Sequence, residues 1–210
     1  LYNVTSGDNN VGLGKQALYY VTTGEGNTAV GFKALKDNET SNTTAVGKSA
    51  LENNVTGIGN IAIGYEALLT ATGSNYNTAV GFQSLKVQTP YQATSTESGL
   101  NTAVGYQTGT AITFGHENTL MGYKAGAAIT TGYQNVAIGN TALDALTIGR
   151  VNVAVGHGAL GDEDVGTGTI AIGYLAAHSQ NSDTNYEQTK NTIIGYEAGY
   201  YNVTGTANIL

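Results

Sequence analysis

The stretch Asn27-Thr28-Ala29-Val30-Gly31-Phe32-Lys33-Ala34-Leu35 decides the fold, because the chain repeats it. Asn60 to Leu68, Asn77 to Leu85 and Asn135 to Leu143 follow the same pattern, and eleven complete nine-residue copies can be counted. Gly is fifth in every copy: Gly14, Gly31, Gly47, Gly64, Gly81, Gly105, Gly122, Gly139, Gly156, Gly173 and Gly195. The gaps between them are 17, 16, 17, 17, 24, 17, 17, 17, 17 and 22 residues. The period is therefore 17, with one deletion and two insertions. A unit this short cannot hold its own core, whereas stacked units can, so the repeat signals a solenoid.

The columns of the repeat give its local structure. Column one is Asn in nine copies, among them Asn27, Asn60, Asn77, Asn101, Asn118, Asn135 and Asn152, and Thr43 and Thr169 fill the other two. Column two is β-branched and column four aliphatic; column three is mostly Ala, column six usually Tyr or Phe, and column nine usually Leu. Columns one to four predict a short strand. The Gly lets the backbone bend where no Cβ would fit. Columns six to nine predict a second short strand or an extended turn, and the remaining polar, Gly-rich residues a return loop. The expected architecture is all-β, a parallel β-solenoid or β-roll of about twelve 17-residue coils stacked ~4.8 Å apart.

Stacking sets like beside like. The Asn column is expected to form an amide ladder, and Phe32, Tyr65, Phe82, Tyr106, Tyr123, Tyr174 and Tyr196 partial ring stacks. Strand alternation sends columns two and four to one face and columns three and five to the other. Both faces are apolar, and such strands are covered on both sides. The coil covers one; a second copy of the same chain is the expected cover for the other, which favours a closed homotrimer.

The runs Asn-Thr-Ala-Val-Gly-Phe at 27–32 and 77–82, and Asn-Thr-Ala-Val-Gly-Tyr at 101–106, resemble the head repeats of trimeric autotransporter adhesins, the YadA-like heads. They are also similar to the related repeats of phage tail fibres. The resemblance covers the whole chain. It implies a left-handed parallel β-roll, three chains around one axis, and a role in surface attachment, hence an extracellular place on a virion tail fibre or a bacterial surface. The 17-residue repeat is longer than the usual adhesin-head repeat. Residues 1–210 read as a single repeat domain, with inserts at 86–100 and 178–190. Leu1 falls one period before Leu18, and Asn208-Ile209-Leu210 begins a further unit, so the domain is expected to be a segment of a longer fibre.

Composition excludes several classes. Thirty Gly without a Gly-X-Y period is not collagen. With no Cys there is neither a disulfide framework nor a thiolate metal site. A net charge of −7 without a basic run opposes nucleic-acid binding. No apolar run approaches the ~20 residues of a membrane span.

No nucleophile elbow, phosphate loop or His-Glu-x-x-His motif occurs, and neither a catalytic residue, a metal nor a cofactor is expected. His157 stands in column six and reads as a rung of the aromatic ladder, while His116 and His178 lie in or beside return loops. The carboxylate groups Asp162-Glu163-Asp164 and Asp183 with Glu187 are candidates for a glycan-cleaving pair, but as exposed turns they read as solvated. A glycan-degrading fibre enzyme and a purely structural filament stand as alternatives to an adhesive fibre. Asn3, Asn38, Asn42, Asn54 and Asn202 begin Asn-x-Ser/Thr sequences. The inserts are the leads for receptor contact, since loops on rigid scaffolds carry binding. Tyr91 and Gln92 in the first and Tyr186 and Glu187 in the second suit a glycan or protein receptor.

Overall fold

The computed structural model describes residues 6–89, 99–182 and 184–210. Each repeat contributes one three-residue strand, from β1 (Val11–Leu13) to β11 (Thr192–Ile194). The eleven strands form one parallel sheet in sequence order. Pairing is column on column, as in Thr28↔Thr44, Ala29↔Ala45 and Val30↔Val46. A bridge between Thr192 and Ile209 starts a further rung. The expected all-β solenoid is what forms, with first and last strands about 50 Å apart at a spacing of ~4.8 Å.

Neither insertion disturbs the sheet. β5 (Thr78–Val80) pairs with β6 (Thr102–Val104) in register, Thr78 against Thr102, across the 24-residue step. β10 (Ile170–Ile172) pairs with β11 in the same way, Ile170 against Thr192. The sheet stays in register across both steps, and closing a longer loop costs only logarithmically more.

Columns six to nine are a turn, not a second strand. In the rung that starts at Asn77, Gln83 and Leu85 take left-handed φ values of 53° and 48°, and Leu100, just before the next strand, takes 56°. Each such residue costs about 1 kcal/mol. Rung-to-rung hydrogen bonds offset the cost: Gln83 N–H donates to the Tyr65 carbonyl at 2.8 Å and Leu85 N–H to the Thr108 carbonyl at 3.0 Å. The left-handed turn also swings Leu85 into the interior, where it is fully buried. At column five, Gly31 has φ +133°, and a Cβ there would lie 2.5 Å from the Gly47 carbonyl oxygen. Only Gly allows both the angle and the approach.

The interior is thin and filled. Column-three alanines such as Ala29, Ala79 and Ala154 face the column-nine leucines Leu35, Leu85 and Leu160, all fully buried. The return segment is less polar than expected. Its third residue lines the core in every interior rung: Val21, Ala71, Ile112, Ile129 and Leu146 are fully buried, and so are the polar Asn38, Asn54, Gln88, Glu163 and Gln180 at the same place.

The column-one asparagines close the rungs. Asn118 Oδ1 accepts the backbone N–H of Asn135 at 3.0 Å, and Asn118 Nδ2 donates to the Gly132 carbonyl at 3.0 Å. Asn101 bonds to Asn118 and Gly115 in the same way. The ladder is therefore mainly side chain to main chain. Amide-to-amide bonds accompany it from Asn60 to Asn135, for example Asn118 Nδ2 to Asn101 Oδ1 at 3.0 Å.

Candidate functional site

With the interior closed by this ladder, function falls to the outer surface. Column three points inward, so columns two and four point outward along the whole rod. Ile61, Ile63, Met121, Ile170 and Ile172 are exposed there. The column-six rings stack beside them. Tyr65, Phe82, Tyr106 and Tyr123 lie 5.1, 5.2 and 5.3 Å apart, each nearly parallel to the next. His157 continues the column onto Tyr174 at 5.3 Å, and Tyr174 onto Tyr196 at 5.0 Å. Phe32 is flanked in its column by Lys15 and Lys48, and Asn140 interrupts the series. The result is an apolar and aromatic strip facing outward.

A second aromatic group lies where the second insert meets the rod. Residues two before column one recur at the same period as His116, Tyr133 and Arg150. His116 stacks on Tyr133 at 4.8 Å and 5°. The Arg150 guanidinium lies 5.4 Å from the Tyr133 ring and 5.4 Å from the Tyr186 ring, and Nη1 donates to the Tyr133 hydroxyl. Tyr186 is brought there by its own backbone, whose N–H donates to the Val165 carbonyl at 3.2 Å. Phe114, His116, Thr131, Tyr133 and Tyr186 line an open groove of about 540 Å³. A larger hollow of about 680 Å³, lined by Leu175, Glu197, Tyr200, Tyr201 and Leu210, lies at the last rung. Elsewhere on the rod the next rung covers that position.

Of the four residues expected to contact a receptor, Tyr186 is exposed and joins this groove, and Glu187 is half-buried, its carbonyl accepting the Thr167 N–H at 2.8 Å. Tyr91 and Gln92 lie outside the described residues, as does Asp183. Tyr133 and Arg150 were not singled out from sequence, and His116 only as a residue in or beside a return loop. Their signal was present as a 17-residue recurrence of ring or guanidinium at one column, masked because the other rungs carry unrelated residues there.

Asp162 and Glu163 do not converge. Asp162 is exposed, and its Oδ2 lies 3.3 Å from His178 Nδ1, within ion-pair reach but not aligned as a hydrogen bond. Glu163 points into the core. Its Oε1 accepts the N–H groups of Val165, Gly166 and Ser182, and its Oε2 accepts from Gln180 Nε2 and Ser182 Oγ. Gln180 in turn donates to Thr169 Oγ1 and accepts from Asn191 Nδ2 at 2.7 Å. This buried network bridges the rung where Thr169 replaces Asn. Burial pushes the nearby Asp144 carboxyl above the usual range; Asp162 adds to the effect, while His178 and Lys124 oppose it.

At the other flank, Lys86 pairs with Glu66 at 2.9 Å, and Lys33 with Glu52 at 3.0 Å. Asn38 and Asn54 are fully buried, so the folded chain offers neither to a glycosylating enzyme. No group of three metal-ligating side chains forms among the described residues. Among them no helix is long and apolar enough to cross a membrane.

No protein-family profile, curated protein or solved structure matches the chain.

Proposed function

We propose that the chain is a structural and adhesive segment of an extracellular attachment fibre, on a phage tail or a bacterial surface, working as a homotrimer. The observation that carries this reading is the outward strip. A filled interior leaves Ile61, Ile63, Met121, Ile170, Ile172 and the exposed column-six rings uncovered along the rod. Monomeric proteins rarely expose contiguous apolar patches beyond roughly 300–600 Å², and a strip about 50 Å long and at least ~10 Å wide reaches that scale. The strip repeats at each rung, so it suits a partner with the same axial spacing, which another copy of the chain supplies. Three copies around one axis close the set and leave the return loops and inserts on the outside, free for a surface receptor. The resemblance of the repeat to adhesin heads and tail-fibre repeats supports the same assignment.

Sedimentation equilibrium tests the assembly. The expected mass is about 65 kDa, three times the 21.6 kDa chain. Val104→Asp and Ile172→Asp each place a charge in the strip without touching the coil interior, and burying it unpaired is strongly unfavourable. Both are expected to dissociate the trimer. A single-chain mass for the parent protein, or unchanged assembly in both variants, overturns the homotrimer. Adhesion of the parent rod to intact cells tests the attachment role.

A further inference from the structure

We propose that the groove between Phe114, His116, Thr131, Tyr133 and Tyr186 binds an acidic glycan, a chain of pyranose rings bearing carboxylates, with Arg150 as the acid-reading group. The proposal deepens the attachment reading and rests on it for the idea that the ligand is a surface polymer.

Three observations favour this occupant. First, the groove has the right kind of walls. Phe114 and Tyr186 are exposed, and the His116–Tyr133 stack forms a side wall two rungs long. The stacked rings turn their edges to the groove, the exposed surfaces of Phe114 and Tyr186 give a sugar ring something apolar to pack against, and tyrosines add hydroxyls at the rim. A volume of about 540 Å³ lies within the ~300–1,000 Å³ typical of ligand sites.

Second, the chain's single arginine, Arg150, stands against two of the groove's lining rings, Tyr133 and Tyr186. Among the described residues, no carboxylate forms an ion pair with Arg150. Its guanidinium is instead oriented by Tyr133 and Tyr186 on its faces and by the Tyr133 hydroxyl at one nitrogen. A guanidinium fixed in this way has N–H groups left over, and its fork matches a carboxylate in two-point contact. In a chain of net charge −7, a cation beside an aromatic groove that pairs with no carboxylate among the described residues is locally complementary to an acid, not to a neutral or basic ligand. Two carboxylates adjoin the group in sequence: Glu117, next to His116, is engaged by Gln134 Nε2 at 2.8 Å, and Glu187, next to Tyr186, is half-buried.

Third, the groove is set apart from the strand strip. His116, Tyr133 and Arg150 each stand three residues before a strand, just ahead of the left-handed corners at Glu117, Gln134 and Val151. The second insert supplies one wall through Tyr186 while β10 and β11 stay in register. The insert adds a recognition wall at no cost to the sheet.

The test uses the full chain and defined oligosaccharides, measured by titration calorimetry. Oligogalacturonate is paired with neutral oligogalactan, and sialyllactose with lactose. The acidic member of at least one pair is expected to bind ten-fold or more tightly than its neutral counterpart, and to weaken as salt rises. Arg150→Gln is expected to bring the acidic ligand down to the neutral level, and Arg150→Lys to give an intermediate loss. Tyr186→Ala is expected to weaken acidic and neutral ligands alike by at least ten-fold, and lies on an exposed insert that the sheet does not need. Melting curves check that each variant keeps the fold; should Arg150→Gln unfold, Tyr186→Ala decides. Equal binding within both pairs, no acidic binding at millimolar concentration, or unchanged affinity in the folded variants overturns the assignment. Adhesion to intact cells separates the two claims. Cells bound without acidic oligosaccharides refute the groove and keep the attachment reading; acidic oligosaccharides bound without cell adhesion keep the groove and refute attachment.

Discussion

The amide oxygen of Asn118 accepts the backbone N–H of Asn135, one rung further along the rod, at 3.0 Å, while its amide nitrogen holds the Gly132 carbonyl. Both main-chain groups belong to the buried inner edge of the coil. Asn118→Ala strands each of them, at about 1–3 kcal/mol per group. The expected loss is on the order of 2–5 kcal/mol, read as a lower denaturation midpoint with an unchanged slope. Asn118→Asp is expected to be worse at neutral pH, since a carboxylate would face the Gly132 carbonyl it can no longer donate to. A loss under about 0.5 kcal/mol for Asn118→Ala would assign the column to habit of sequence.

Gly105 and Gly168 separate angle from space. Gly105 has φ +141°, and a Cβ there would overlap the Gly122 carbonyl oxygen. Gly168 has φ +83° with nothing within 4 Å of its Cβ position. Gly105→Ala is expected to lower the melting temperature far more than Gly168→Asn, because Asn tolerates the left-handed region and meets no neighbour. Equal effects at the two sites would show that the close approach of Gly105 to the Gly122 carbonyl adds no cost.

Glu163 accepts five hydrogen bonds in the core and forms no ion pair among the described residues. Glu163→Leu imitates Leu146, one rung earlier in the same column. It strands the Gly166 and Ser182 N–H groups and is expected to destabilise by on the order of 3 kcal/mol. Glu163→Gln keeps one acceptor oxygen and is expected to cost less. Chemical denaturation ranks them; a stable Leu variant would mean that the network is dispensable.

Glu66 gives the rod an acid limb. Its bond to Lys86, with further bonds from Tyr65 and Gln83, holds its carboxyl at about 2, against an ordinary 4.5. The folded value is the lower one, so the contribution is complete above the unfolded value and fades as pH falls from there toward about 2. The side chain lies near the surface, so solvent screening limits the effect to about 0.5–1 kcal/mol. The melting-temperature gap between the parent protein and Glu66→Gln is expected to be widest above about pH 5 and to close toward pH 2. A gap that ignores pH would remove the charge from the account.

The 17-residue recurrence carried the architecture because a repeat that cannot bury itself must stack, and stacking repeats every contact. The strand at Thr28–Val30, the bend at Gly31 and the aromatic column from Tyr65 to Tyr123 were legible for that reason. Three features needed the folded coil. The direction of columns two and four was open, since both strand faces are apolar; the small Ala29 fits the thin interior and the larger Thr28 and Val30 do not. The left-handed turn at Gln83 and Leu85 carries no residue signature, because inter-rung hydrogen bonds impose it on side chains that would otherwise avoid it. The stacked cluster of His116, Tyr133, Arg150 and Tyr186 joins residues from three rungs and an insert. Sequence period fixes which residues share a column; how far a looped-out insert folds back onto that column depends on its own backbone contacts, here Tyr186 with Val165.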